Sequence, residues 1–222
     1  DRPVTAYRSF NDFFTRRLQP GARPFAADPA ALCAPADGRA LVFPRLDPGT
    51  EVPLKGDRLS APSLLAGVGA AGGDRFASGC ALVVRLAPSD YHRFHFCDSG
   101  TAATAVPVRG RLDSVNPLAL GRRPGVLAGN QRTVTAVQTT GFGLAMQIEV
   151  GAFAVGSIVQ TYTPGRVERG QEKGFFQFGG SSVVLLFEAG AVTFDDDLVR
   201  DSAAGLEVRV RAGEQVGRSG RG

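Results

Sequence analysis

The chain lacks tryptophan and has one methionine, two histidines and three cysteines in 222 residues. Cys33, Cys80 and Cys97 are scattered and odd in number, with no C-x-x-C pair. That pattern gives no basis for a disulfide framework or a cysteine zinc site, and it suits a reducing compartment. No stretch approaches the roughly 18 apolar residues of a membrane-spanning helix. No signal peptide is expected within the given residues. The chain opens at Asp1 without methionine, so an upstream segment is expected, and any membrane anchor would lie in it. No basic run is interleaved with aromatics on a nucleic-acid motif, so a nucleic-acid partner is not expected.

What is abundant is glycine, at 29 residues, and proline, at 14. Such punctuation breaks long helices and, with frequent valine and phenylalanine, favours strands. The expected fold is mainly β (α+β): one compact sandwich or barrel-like catalytic domain over 1–222, with a short N-terminal amphipathic helix. Strands are expected over 40–43, 81–87, 101–108, 133–139, 144–150, 157–161, 182–187 and 206–210. The helix is expected over 7–18, where Tyr7, Phe10, Phe14 and Leu18 recur at near-helical spacing. Its ordinary role is to pack on the core; its sharper one is to present aromatics to a membrane surface. A second short helix, running into a glycine loop, is expected over 63–73. The net charge of +4 is carried largely by arginines such as Arg16, Arg17, Arg122, Arg123, Arg209 and Arg211. It describes a solvated surface, or one drawn to an anionic membrane or substrate.

Both histidines fall in one stretch, LAPSDYHRFHF. If that stretch is extended, Asp90, His92 and Phe94 share a face and His95 points the other way. An aspartate beside a histidine can fix its tautomer and raise its basicity. If the stretch is helical, His92 and His95 share a face instead. A metal is the weaker reading, because His92, His95, Asp90 and Asp98 include no third firm ligand. Near the other end stands KGFFQFGGSSVVLLFE. Gly179 and Gly180 permit a strained backbone and close approach to the Gly180 carbonyl. A Ser181 hydroxyl relieved of its proton can attack that carbonyl. Gly-Ser pairs are common, and Gly156-Ser157 is a decoy of the same form. Asp37, in PADGR, reads by itself as a turn residue.

Several ordered segments together carry a resemblance that none carries alone. SFNDFFTRRLQPGARP, PADGR, KGDRLSAPSLLAG, LAPSDYHRFHF, LDSVNPLAL, VGAFAVGSI and RGQEKGFFQFGGSSVVLLFE closely resemble the motifs of the phosphatidylserine decarboxylase family. Two positions depart from it: Cys97 stands where proline is usual, and Gln131 where a charged residue is commoner. Neither removes a residue the chemistry needs.

The resemblance implies a proenzyme that cuts itself between Gly180 and Ser181 into fragments 1–180 and 181–222. Ser181 becomes a covalent pyruvoyl group, the only cofactor implied, with no metal. His92 is the expected base, Asp37 and Asp90 orient or charge it, and His95 helps or positions substrate. The pyruvoyl serves as the electron sink for loss of CO2 from phosphatidylserine, giving phosphatidylethanolamine. The implied partners are phosphatidylserine, an anionic membrane surface, the enzyme's own cleaved subunit and a second copy in a homodimer. The implied location is peripheral, on the cytoplasmic face of a bacterial membrane. Three other readings are a serine hydrolase using Ser181 and His92, a pyruvoyl decarboxylase of another amine-bearing carboxylate, and a non-catalytic lipid- or protein-binding β-domain. The hydrolase lacks a G-x-S-x-G elbow.

Overall fold

A computed structural model describes residues 3–47, 60–68, 74–114, 126–152, 158–177 and 181–220. Fifteen strands are found among them. They are β1 (Ala31–Cys33), β2 (Gly38–Phe43), β3 (Cys80–Leu86), β4 (Arg93–His95), β5 (Gly100–Ala102), β6 (Val106–Val108), β7 (Arg132–Thr139), β8 (Leu144–Gly151), β9 (Ile158–Gln160), β10 (Gly165–Val167), β11 (Glu172–Phe176), β12 (Ser181–Phe187), β13 (Val192–Phe194), β14 (Val208–Val210) and β15 (Gln215–Ser219). Four short helices accompany them: α1 (Phe10–Phe14), α2 (Ala61–Leu65), α3 (Val126–Gly129) and α4 (Asp196–Ala203). The mainly β expectation is met.

The strands form three antiparallel sheets. The largest runs β10-β5-β7-β8-β12-β3-β2-β14, with β6 also paired to β7. Two three-stranded sheets, β4-β11-β9 and β1-β15-β13, complete the molecule. Along the described path the large sheet stays open. Strand β12 lies between β3 and β8, in register from Ser181 opposite Leu86 and Gly151 to Phe187 opposite Cys80 and Ala145. All seven of its residues are buried. Val183, Leu185 and Phe187 enter one core with Phe14, Phe94 and Phe176. Val184 and Leu186 enter the other, with Leu41, Val83 and Ile148. A strand covered on both faces needs apolar residues at consecutive positions, which is why SVVLLF shows no alternation.

Several expected elements change on folding. The first helix is five residues long, not twelve. Ser9 caps it by accepting a hydrogen bond from the Asp12 N–H at 3.1 Å. It stops at Thr15 because the Arg93 guanidinium takes the carbonyls of Thr15 and Arg16, at 2.7 and 3.2 Å. Pro20 would also have no N–H for the Arg16 carbonyl. The expected strand over 101–108 divides into β5 and β6, and the one over 206–210 starts only at Val208. The second helix, α2, begins at Ala61, capped by Ser60, and residues 69–73 lie outside the described set. Helix α4 was not foreseen. Its signals are Asp195 before it, two acids in its first turn and Arg200 in its last. The buried Ser202 hydroxyl accepts from the Val42 N–H at 2.9 Å, tying α4 to β2.

Candidate active site

Ser181 is the first residue of β12 and is fully buried. By alternation it shares the face of Val183 and Leu185, the face covered by the β4-β11-β9 sheet. Its Oγ has no hydrogen-bond partner among the described residues. A buried hydroxyl left unpaired costs stability, so it calls for a functional explanation. Residues 178–180 lie outside the described set, as does the decoy pair at 156–157.

The histidine stretch is extended over Arg93–His95, so Phe94 and His95 face opposite ways. Phe94 packs on Phe176 with ring centroids 5.0 Å apart. His92 lies against Phe14, 3.7 Å between ring centroids. Its Nδ1 is 3.0 Å from the Asp90 carbonyl, so Nδ1 carries the proton and Nε2 keeps its lone pair. That Nε2 is buried and unpartnered among the described residues. Burial pulls the His92 pKa down to about 4, with the Arg16 charge adding to it and the Asp90 carbonyl opposing. The imidazole is therefore neutral at neutral pH.

Asp90 acts on His92 through its main chain. Its carboxylate points elsewhere, accepting the Ala87 N–H at 2.7 Å. Asp37 is separate again. It forms a two-pronged ion pair with Arg23, at 2.8 and 2.5 Å, and accepts the Ala212 N–H at 2.9 Å. Gly38 beside it admits close approach of the Arg85 carbonyl, 2.5 Å from where a Cβ would stand. Asp37 brings its charge to His95 rather than His92. Burial lowers the His95 pKa, but Glu172, its cross-strand neighbour, and Asp37 both pull upward. The His95 ring sits between Tyr91 and Phe25, at centroid distances of 5.9 and 5.7 Å. His95 Nδ1 is a third buried atom without a partner.

Three buried polar atoms, Ser181 Oγ, His92 Nε2 and His95 Nδ1, are thus left without a hydrogen-bond partner among the described residues. None of the three is hydrogen-bonded to another among the described residues. Such a set can pass a proton and receive a carbonyl group that the hydroxyl attacks. The donor set suits a group made from the serine itself. Among the described residues no cluster of three His, Cys, Asp or Glu side chains is placed to hold a metal ion.

The sequence model of the phosphatidylserine decarboxylase family matches residues 10–218. This chain belongs to that family. It is 47% identical over 98% of its length to the phosphatidylserine decarboxylase proenzyme of Chlamydia muridarum, covering 72% of that protein. The proenzyme of Ruminiclostridium cellulolyticum is 42% identical over 96% of this chain and 71% of its own. That of Chlamydia pneumoniae is 44% identical over 99% of this chain and 73% of its own. The chain is a decarboxylase, a carboxy-lyase. Cys97 is buried in the core that also holds Phe94 and Phe142.

Sequence reading missed Glu172 and Phe25 around His95, and Arg23 on Asp37, because each arrives from a distant part of the chain; it also gave no role to Tyr91, four residues before His95. Arg23 was legible only as part of the connector that ends in GARP, and Phe25 follows it directly. No helix among the described residues is long and apolar enough to cross a membrane.

Proposed function

We propose that the chain is a precursor that cuts itself between Gly180 and Ser181 and then decarboxylates phosphatidylserine to phosphatidylethanolamine and CO2. The observation that carries this reading is the buried Ser181 hydroxyl, without a partner among the described residues, at the start of a strand held on both sides. Ser181 Oγ gives up its proton and attacks the Gly180 carbonyl carbon. The peptide C–N bond breaks, leaving an ester and the free Ser181 amine. Loss of the Ser181 α-proton then expels the Gly180 carboxylate and leaves dehydroalanine. Water hydrolyses its imine tautomer, ammonia departs and residue 181 is left as a pyruvoyl group that caps Ser182. Once formed, the pyruvoyl supplies a carbonyl that withdraws electrons from the substrate carbon losing CO2.

The two histidines divide the work by charge. The cut needs a group that gains a proton. Burial lowers the His95 pKa, but Glu172 and Asp37 oppose that and favour its imidazolium, which supports His95 as the group that takes the Ser181 proton, with Asp37 held in place by Arg23. The later step needs a group that gives a proton to carbon. His92, whose buried Nε2 is open among the described residues, is assigned that role once it has taken up a proton. The sequence alone favoured His92 for the first role.

After the cut the small fragment stays in place through its strands. Strand β12 pairs with β3 and β8, β14 with β2, and β15 with β1, all on the large fragment. Reaching a lipid headgroup requires a surface contact. Phe10, 55% exposed, and the exposed Arg17 beside α1 suit an anionic bilayer. Failure to sediment with anionic vesicles at low salt would remove that part of the reading.

The deciding experiment is the denatured mass of freshly purified protein. Two fragments divided after Gly180, the smaller one blocked at its amino terminus by a pyruvoyl, establish the reading. A single mass that never changes overturns it. In variants, His95→Ala is expected to stay uncut, and His92→Ala to be cut but inactive. The reverse pattern returns the cleavage base to His92.

A further inference from the structure

Lys173 and Glu149 are both fully buried and paired with each other. The ammonium donates to both carboxylate oxygens, at 2.9 and 2.8 Å, and to Gln160 Oε1 at 2.9 Å. Glu149 also accepts from Thr133 Oγ1 at 2.8 Å and from Gln160 Nε2 at 3.0 Å. The rings of Phe94 and Tyr162 stand 5.5 and 5.3 Å from the ammonium. Every polar atom of the ion pair is thus satisfied in a dry site.

Its cost is hard to justify as stability. Taking two charges out of water cancels most of their attraction, and apolar residues of similar volume often serve as well. Placement gives a better reason. Glu149 lies on β8 directly opposite Val183, two residues along from Ser181 on the same face. Lys173 lies on β11, where the pairing with β4 shifts register between Glu172 and Gly174. An extra residue of this kind re-aims a side chain. Here Glu172 stays on the histidine side, opposite His95, while Lys173 turns inward to Glu149. A second tie runs parallel to the first: Gln147 Nε2, also on β8, donates to the His95 carbonyl at 3.3 Å. Both links join the sheet that holds Ser181 to the small sheet that holds His95.

We infer that Lys173 and Glu149 are positioning residues for self-cleavage: their ion pair is a strut that fixes the small sheet, and His95 on it, against the start of β12. The inference rests on the self-cleavage reading above. It also gives the strut a second use. Lys173 precedes the cut and Glu149 belongs to the same fragment, so the pair keeps β11 seated once residue 180 becomes a chain end.

The test is the paired variant Glu149→Gln, Lys173→Met, which removes both charges together and strands neither. Its thermal midpoint is expected within about 5 °C of the parent or above it. Its cleavage is expected to slow at least about tenfold, as misplacement of a reacting group does. The pH at which the rate is half-maximal should stay that of the parent while the plateau falls, which marks lost placement and not altered basicity. A folded pair variant that cuts at the parental rate overturns the inference. If the pair variant does not fold, Gln147→Met decides. At parental stability, cleavage slowed several-fold supports the strut, and cleavage at the parental rate sinks it. A parent that never cuts fails the earlier reading instead, so the two failures are distinct.

Discussion

The two faces of the large sheet are packed by different chemistry. On one face Leu41, Phe43, Val83, Ile148, Val184 and Leu186 close an apolar layer with Leu64 and Leu65 of α2. A buried cation on this face, Arg132, is engaged by carbonyls at the end of α2, including those of Leu64 and Ala66, each at 2.8 Å. On the other face, towards the Ser181 end, the small sheet covers a polar layer: Glu149, Gln147, Thr133, Lys173 and Gln160. The apolar layer can be built from residues that tolerate one another in many arrangements. The polar layer works in one arrangement only, since each buried donor needs its own acceptor. The same strand, β12, faces both, so stability and chemistry should respond separately to substitutions along it.

Ser181→Ala gives the largest effect. Cutting and decarboxylation should both be abolished, while the thermal midpoint holds or rises, because a partnerless buried hydroxyl is removed. An intact mass together with a cooperative melt checks this. An unfolded Ser181→Ala chain would break the separation of the two layers.

Four residues along, Leu185→Ala should act the opposite way. Leu185 is buried in the core, and truncation there costs about 2–5 kcal/mol. Urea denaturation measures the loss. The half-maximal pH for cutting should not move in whatever fraction remains folded.

Acid sharpens the comparison from the polar side. His92 has its pKa lowered in the fold from 6.5 to about 4. Between those values the unfolded chain binds the proton and the folded one does not, so stability falls as pH drops through that window. The loss from His92 is up to about 3 kcal/mol, and His95 shifts in the same direction. Denaturation midpoints at pH 7 and pH 4.5 should converge in His92→Ala relative to the parent. An unchanged acid dependence in that variant would contradict the burial of a neutral imidazole.

The smallest effect is Ser202→Ala on α4, about 1 kcal/mol for one buried acceptor withdrawn from the Val42 N–H. It should leave the rate of cutting alone, being remote from both histidines.

The sequence made the apolar layer legible because burial on both faces of β12 leaves a local mark, the uninterrupted run 183–187. Strands β2, β3, β7 and β8 were legible for the same reason. The three-residue strands β1, β4 and β13 and the five-residue β15 left no such mark. Each is made by pairing with a distant segment, as β1 is by β15. In the site, His92, His95 and Ser181 could be picked out from their neighbours and from the family resemblance. Their electrostatics could not. Asp90 lies two residues from His92 and suggests a carboxylate contact, yet the bond is made by its carbonyl. Asp37 is drawn to His95 by a fold that also brings Arg23 and Ala212 to it. Lys173 is invisible as a buried cation because its acceptors, Glu149 and Gln160, lie on other strands.

The interleaving of β12, β14 and β15 with strands from earlier in the chain bears on how often the molecule can fold. Before the cut, β12 reaches its place between β3 and β8 as part of one chain, and the search is a first-order process. If the chain is cut after Gly180 as proposed, the same placement requires two separate chains to meet, so refolding becomes second order and depends on protein concentration. The mature enzyme then persists by the slowness of its unfolding rather than by ready return from the unfolded state. Denatured and diluted, the parent should lose the capacity to recover that Ser181→Ala, still one chain, retains.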